Sequence, residues 1–182
     1  MDKLDKTLPD FSLSLALVDA LPVIFFFLSS LSIAKELKKI HSLGGLLFNI
    51  GGILAYLGGF FQVLWKLIIA LFNKDIYIFH SQIKYLLPLG FIFIIISLIV
   101  SHSTINWKKL ITKLLSMPCL IFVVIIMFCN LLMISFLFTM NQLNTKSHWK
   151  EECVNVIFQG SFLICTHIAS KNEINRKENK QK

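Results

Sequence analysis

GGLLFNIGGILAYLGGFFQVLWKLIIALF, residues 44–72, carries three glycine pairs at a spacing of seven residues. Because two turns of an α-helix take close to seven residues, this pattern predicts that the pairs lie along one side of a helix. The polar residues on or beside that side are Asn49, Tyr56, Gln62 and Lys66. A helix with glycine and polar groups on one stripe is typical of a membrane span packed against partner helices. We therefore expect contacts with neighbouring helices at Gly45, Gly52 and Gly59.

The composition indicates a multi-pass membrane protein. Of the 182 residues, 55% are hydrophobic, and the mean hydropathy is +0.72. Runs of about twenty apolar residues recur, and each is long enough to cross a bilayer. The net charge is +8, but the lysines lie between and after these runs, where anionic lipid and membrane topology account for them. The expected partner is therefore the lipid bilayer and not nucleic acid. Abundant Ile, Phe, Lys and Asn suggest a low-G+C bacterium and its cell membrane.

We predict an all-α bundle of five transmembrane helices. The spans are expected at about 11–34, 44–72, 85–101, 117–140 and 153–170, followed by a charged, disordered tail at 171–182. Between the third and fourth spans, Leu110, Ile111, Leu114 and Leu115 of the basic stretch 102–116 share one side. This pattern predicts an amphipathic helix at the membrane surface. A cleaved signal peptide is the competing interpretation of the first span, because Ser32-Ile33-Ala34 is a small-x-small site. The apolar part is too long for such a peptide, so we favour an uncleaved span.

The distribution of lysine and arginine predicts the orientation. Five spans place the two termini on opposite sides, and the side with the first loop, the third loop and the tail carries eleven of these residues. The other side carries six, and Lys66 lies within a span. The positive-inside rule therefore places the N-terminus outside and the C-terminus in the cytoplasm.

Two ionisable residues lie inside the predicted spans at similar depth. Asp19 is about 12 Å from the outer face and Lys66 is about 9 Å from it, at the rise of an α-helix. Since isolated charges are costly in a bilayer, we expect these side chains to pair, directly or through one water or polar neighbour. Polar residues of the fifth span form a stripe that reaches the same depth. Together these features predict an outward-facing polar interior, with Asp19, Gln62, Lys66, Asn130, Glu152, Asn155 and Gln159 as candidate residues.

This polar interior has two interpretations. It is a pocket for a small solute, or a path for an ion or proton, because ionisable groups inside a membrane are functional candidates. Alternatively, it is a structural polar core in which an ion pair and amide hydrogen bonds hold the helices together.

No motif supports a cofactor, a metal site or catalysis. The four cysteines form no CxxC pair, and three of them lie in apolar runs, where cysteine acts as a small hydrophobic residue. The histidines show no repeated ligand spacing. The sequence also lacks a Walker loop, HExxH and GxSxG. We therefore expect neither a metal nor a cofactor, and the sequence gives no support for an enzyme.

Three classes of function remain open. The first is a non-enzymatic accessory, sensor or interaction subunit, which the short loops favour. Its partners would be other membrane subunits or further copies of the chain. The second is a binding or transport module for a small solute or ion, built around Asp19 and Lys66. The third is a membrane enzyme that acts on lipid, with Asp19 or Glu152 as acid or base.

Overall fold

The computed structural model describes residues 12–139 and 145–178, and in these ranges it contains six helices and no strand. The helices are α1 (Leu13–Ile40), α2 (Ser42–Phe72), α3 (Tyr77–Ser101), α4 (Trp107–Leu114), α5 (Cys119–Thr139) and α6 (Thr145–Glu178). All except α4 are long and apolar enough to cross a membrane. The predicted all-α bundle of five membrane helices is confirmed. The residues before residue 12, the loop between α5 and α6 and the last four residues of the tail lie outside the described residues.

The helices extend further than the apolar runs that predicted them. α1 continues six residues past Ala34, α3 starts at Tyr77 rather than at residue 85, and α6 runs from Thr145 to Glu178. The prediction ended each helix where the apolar run stops. However, backbone hydrogen bonds and helix-favouring residues such as lysine and glutamate continue a helix into polar surroundings. The tail that we expected to be disordered from residue 171 is therefore helical as far as Glu178.

The five membrane helices stand side by side in an open row, in the order α3, α2, α1, α6, α5. The principal packing contacts join each helix to its neighbours in this row. In α3 and α5, which end the row, 11% of the apolar window is buried, against 28% in α1 and 33% in α2. The buried part of the structure therefore lies along α1 and α2.

The helices begin and end at two opposite faces of the bundle, and these faces differ. One of them, which we call the α4 face, contains the turn at His41 between α1 and α2 and the exposed helix α4. The imidazole of His41 accepts a hydrogen bond at 2.9 Å from the amide of Gly44 and so caps α2. The opposite face, the Asn73 face, contains the turn between α2 and α3. Asn73 ends α2 there in the left-handed conformation (φ 51°), which asparagine tolerates better than most residues.

The glycine pairs of α2 contact two neighbouring helices rather than lying on a single stripe. Adjacent residues are about 100° apart around a helix, so the second glycine of each pair meets α1 and the first meets α3. A Cβ atom on Gly52 would lie 2.9 Å from Ser30, and one on Gly59 would lie 3.0 Å from Val23. The contacts expected for Gly45, Gly52 and Gly59 are present, but the prediction of one stripe was wrong.

The contact between α2 and α3 also depends on glycine. A Cβ atom on Gly51 would lie 2.6 Å from the carbonyl oxygen of Gly90, and one on Gly90 would lie 2.7 Å from that of Gly51. Nearer the α4 face, the buried hydroxyl of Ser97 donates a hydrogen bond to the carbonyl of Gly44 at 2.7 Å. Small residues thus bring the two backbones together, as is common between membrane helices.

Candidate functional site

Three ionisable side chains from three helices meet inside the bundle. The ammonium nitrogen of Lys66 on α2 lies 2.8 Å from Oδ2 of Asp19 on α1 and 2.9 Å from Oε1 of Glu152 on α6. All three residues are buried, with exposed fractions of 4% for Lys66, 7% for Asp19 and 8% for Glu152. We call this group the carboxylate–lysine cluster. Through Lys66, the cluster joins α2 to α1 and to α6.

The cluster forms because its members lie at one depth on their helices. Asp19 is six residues after the start of α1, Lys66 is six before the end of α2, and Glu152 is seven after the start of α6. At the helical rise, each lies about 10 Å from its helix end at the Asn73 face. The pairing expected between Asp19 and Lys66 is present. Glu152 was expected just before a span rather than inside one, and the longer α6 accounts for its depth.

The cluster contains two carboxylates and one ammonium group. A single carboxylate would neutralise Lys66, so the second leaves an excess of one negative charge when all three groups are ionised. Oε2 of Glu152 is buried and has no hydrogen-bond partner among the described residues. Oδ2 of Asp19 also makes no hydrogen bond there, although it lies 2.8 Å from the ammonium nitrogen of Lys66. Unpaired charge is costly at such a position. This imbalance distinguishes the cluster from a simple structural ion pair.

An apolar group covers the cluster on the side of the Asn73 face. Leu15 and Ile69 are buried there, and Trp65 and Trp149 pack against them. Leu15, Ile69 and Trp149 each lie about one helical turn from a cluster member, towards the same face. We call these four residues the apolar cap. We predicted a polar interior that faces outward, but the apolar cap covers the cluster on the side of the Asn73 face. The sequence signal was the recurrence of a large apolar residue one turn before or after each charge.

Trp65 links the cap to the turn between α2 and α3. Its indole nitrogen donates a hydrogen bond at 2.8 Å to a carboxylate oxygen of Asp75. Its ring lies on the imidazole of His80, with ring centroids 4.4 Å apart. α3 begins before His80 and places its ring against the cap.

The predicted amide residues follow the cluster deeper into the bundle without bonding to it. Gln62 lies one turn below Lys66 on α2, while Asn155 and Gln159 lie one and two turns below Glu152 on α6. All three are partly buried. No hydrogen bond joins them to the cluster among the described residues, and the buried Oε1 of Gln159 has no partner there. These amides therefore line the far side of the cluster instead of completing its hydrogen bonds.

Asn130 does not join the polar interior. It lies on α5, at the end of the row, and its side chain is exposed. Its amide nitrogen donates a hydrogen bond at 3.0 Å to the carbonyl of Ile126, one turn earlier in the same helix. Spacing along one sequence did not reveal that, in the part of the chain that the structure describes, α5 packs mainly against α6. The prediction of Asn130 as a member of the polar interior was wrong.

The described residues contain no group of three or more His, Cys, Asp or Glu side chains arranged to hold a metal ion. The cysteines are all free thiols, and Cys119 and Cys165 face each other between α5 and α6. His41 has a structural role as a helix cap. In the described part of the chain, the carboxylate–lysine cluster is therefore the best candidate for a functional site.

No protein-family model matches this chain, and neither does any curated protein or solved structure. The fold and the site define it as a multi-pass helical membrane protein with a buried, charge-imbalanced cluster.

Proposed function

We propose that the protein is an ion-binding membrane module in which Asp19 and Glu152 hold one small cation in addition to Lys66. The observation that carries this proposal is the ratio of two buried carboxylates to one buried ammonium group. A purely structural pair needs one carboxylate, and a second one raises the cost of burial unless a positive charge accompanies it. The occupant is a proton, or a monovalent metal ion such as Na⁺.

The free oxygen of Glu152 is the point at which the cation binds. Lys66 donates a hydrogen bond to Oε1 of this carboxylate, whereas Oε2 is buried without a hydrogen-bond partner among the described residues. A proton on that oxygen, or a metal ion beside it, makes the cluster electrically neutral. The apolar cap shields the cluster from the Asn73 face, and the amides of Gln62, Asn155 and Gln159 offer polar contacts on the other side.

The proposed setting is the cell membrane of a low-G+C bacterium, with the N-terminus outside and the C-terminus in the cytoplasm. The lysine and arginine distribution supports this orientation. The cluster then lies in the outer half of the membrane, and the apolar cap lies between it and the external solution. Cation exchange from outside therefore requires the cap to move.

The experiment uses the full chain in lipid nanodiscs. Infrared spectroscopy reports a proton on a buried carboxyl group, and thermal unfolding in sodium, potassium or choline salts reports a bound metal ion. The variant Glu152→Gln should lose whichever signal the natural protein shows. Glu151→Gln is the matched control, because it removes a neighbouring, partly exposed carboxylate. The proposal fails if the natural protein shows neither signal, or if both variants lose it equally.

A second candidate is an accessory or interaction subunit, and the open row of helices favours it. α3 and α5 have only one strong partner helix each, so their remaining surfaces are free to meet other membrane subunits or another copy of the chain. However, each of the eight glycines contacts another part of the same chain. The glycines therefore pack against helices of the same chain and not against another subunit. Native mass spectrometry from lipid would reveal a stable partner, and a monomer alone would count against this candidate.

A lipid-acting enzyme has less support. Its proposed acid or base, Asp19 or Glu152, lies within 3 Å of Lys66 and beneath the apolar cap. An acid or base that acts on lipid must come within hydrogen-bond reach of the substrate. Cleavage of lipid that is lost in Asp19→Asn would restore this hypothesis.

A further inference from the structure

Helix α4 separates its polar and apolar residues onto two sides. The polar side consists of Asn106, Lys108, Lys109, Thr112 and Lys113, and the apolar side consists of Trp107, Leu110, Ile111, Leu114 and Leu115. The apolar side is largely uncovered by the protein: Ile111 is 53% exposed and Leu115 is 59% exposed. A helix with this division lies in the plane of a membrane surface, with its apolar side in the acyl region and its lysines among the headgroups.

The connections of α4 hold it at the membrane surface. It follows the end of α3 and precedes the start of α5, both of which belong to membrane helices. The indole of Trp107 donates a hydrogen bond at 3.2 Å to the carbonyl of His102. The ammonium of Lys113 donates one at 3.4 Å to the carbonyl of Ala169, at the end of the apolar part of α6. These contacts place α4 level with the end of the apolar part of α6, where the phosphates of a surrounding bilayer are expected.

The polar side of α4 forms an open groove with a volume of about 390 Å³. Its lining residues are the five polar residues named above. Ammonium, hydroxyl and amide groups are suitable donors for phosphate oxygens. The sequence from residue 76 to residue 150, which includes α3, α4 and α5, contains no aspartate or glutamate. On α6, which Lys113 contacts at Ala169, the next acidic residue in the sequence is Glu173.

We propose that this groove binds the phosphate headgroup of an anionic phospholipid. The site is independent of the carboxylate–lysine cluster, which lies towards the opposite face. A lipid fits better than a free phosphate ion because the apolar side of the same helix offers contact to the acyl chains of the lipid whose headgroup the lysines hold. The basic charge supplies attraction, and the membrane depth supplies a high local concentration of the ligand.

Trp107 provides the readout. The full chain is placed in nanodiscs that contain equal fractions of a zwitterionic and an anionic phospholipid, with bromine on the acyl chains of one lipid or the other. Bromine quenches a tryptophan that it touches, so the anionic brominated lipid should quench Trp107 more strongly than the zwitterionic one. Trp107→Phe shows only the quenching of Trp65 and Trp149, which lie near the other face, and the difference from the natural protein gives the quenching of Trp107.

The decisive variant is Lys108→Gln/Lys109→Gln. The preference for anionic lipid is the ratio of Trp107 quenching by the anionic brominated lipid to quenching by the zwitterionic one. This ratio should fall roughly fivefold for each lysine removed. Lys35→Gln/Lys38→Gln is the matched control, since it removes the same charge from exposed positions near the α4 face and should leave the preference unchanged. Lys108→Arg/Lys109→Arg should retain the preference, which separates loss of charge from loss of structure.

Three results would overturn the proposal. Equal quenching by both brominated lipids would show that no anionic lipid is selected. An equal loss in the α4 variant and in the control would show diffuse attraction to a basic surface and no site. Loss of the preference on adding inorganic phosphate at millimolar concentration, but not on adding chloride at equal ionic strength, would show that the groove takes a free anion.

Discussion

Replacing Lys66 by methionine should be the most damaging single change in the carboxylate–lysine cluster. The natural cluster has one ammonium group within 3 Å of two carboxylates. Lys66→Met leaves both carboxylates buried with no cation between them. Glu152→Gln instead leaves the pair of Lys66 and Asp19, whose charges balance. The two substitutions each remove one charge but change the imbalance in opposite directions.

The magnitudes follow from this imbalance. Removing one partner of a buried ion pair typically costs about 3–5 kcal/mol, because the other charge is left uncompensated. Lys66→Met should lie in that range or above it. Glu152→Gln loses one charge-assisted hydrogen bond but also removes the excess charge, so its net effect should be within about 1 kcal/mol. Adding Glu152→Gln to Lys66→Met should recover stability, because only one buried carboxylate then remains.

Reversible unfolding in mixed micelles, followed by circular dichroism, measures these free energies. Lys84→Met is the control for the loss of a lysine, because Lys84 is exposed on α3 and its replacement should change stability by less than about 0.5 kcal/mol. Pairing of Asp19 and Lys66 alone predicts that loss of either charge is equally harmful. The cluster predicts that Asp19→Asn is milder than Lys66→Met. Equal losses for Lys66→Met and Glu152→Gln, or a double variant worse than Lys66→Met, would refute the reasoning from charge imbalance.

Two predictions concern the contact between α2 and α3. Gly51→Ala should lower the free energy of unfolding by about 1–3 kcal/mol, because the new Cβ atom would meet the Gly90 carbonyl at 2.6 Å. Gly58→Ala, on the same side of α2, would place its Cβ atom 3.3 Å from Leu86 Cβ and from the backbone nitrogen of Leu87. It should cost less because these distances are longer, and equal losses would contradict the packing argument. Ser97→Ala removes the hydrogen bond to Gly44 and should cost about 0.6 kcal/mol. A loss above about 2 kcal/mol would indicate more than this bond.

The sequence predicted the features that depend on distance along a helix. The number and type of the membrane spans followed from apolar length, and the equal depth of Asp19 and Lys66 followed from the rise per residue. Their pairing followed from the cost of isolated charge in a bilayer. The surface helix within residues 102–116 was also predicted, because α4 divides its polar and apolar residues within eight positions. In each case, counting residues along one helix was sufficient.

The features that depend on which helices are neighbours were not predictable in this way. The glycine pairs suggested one packing side, but α2 has a partner on each of two sides. Asn130 had the right depth and chemistry for the polar interior, yet its helix stands at the end of the row. The apolar cap required knowledge that Leu15, Ile69 and Trp149 come together across three helices. Helix ends were misplaced because the apolar run, and not the hydrogen-bonded helix, determined the predicted bounds.

The structural and functional interpretations of the cluster concern different members of it. Asp19 and Lys66 lie on adjacent helices and neutralise each other, so they account for the association of α1 with α2. Glu152 brings α6 into the same contact, but it does so at the cost of an excess negative charge. Glutamine at this position would accept the same hydrogen bond from Lys66 without that charge. This is why we propose that Glu152 binds a cation and does not serve only the packing of the bundle.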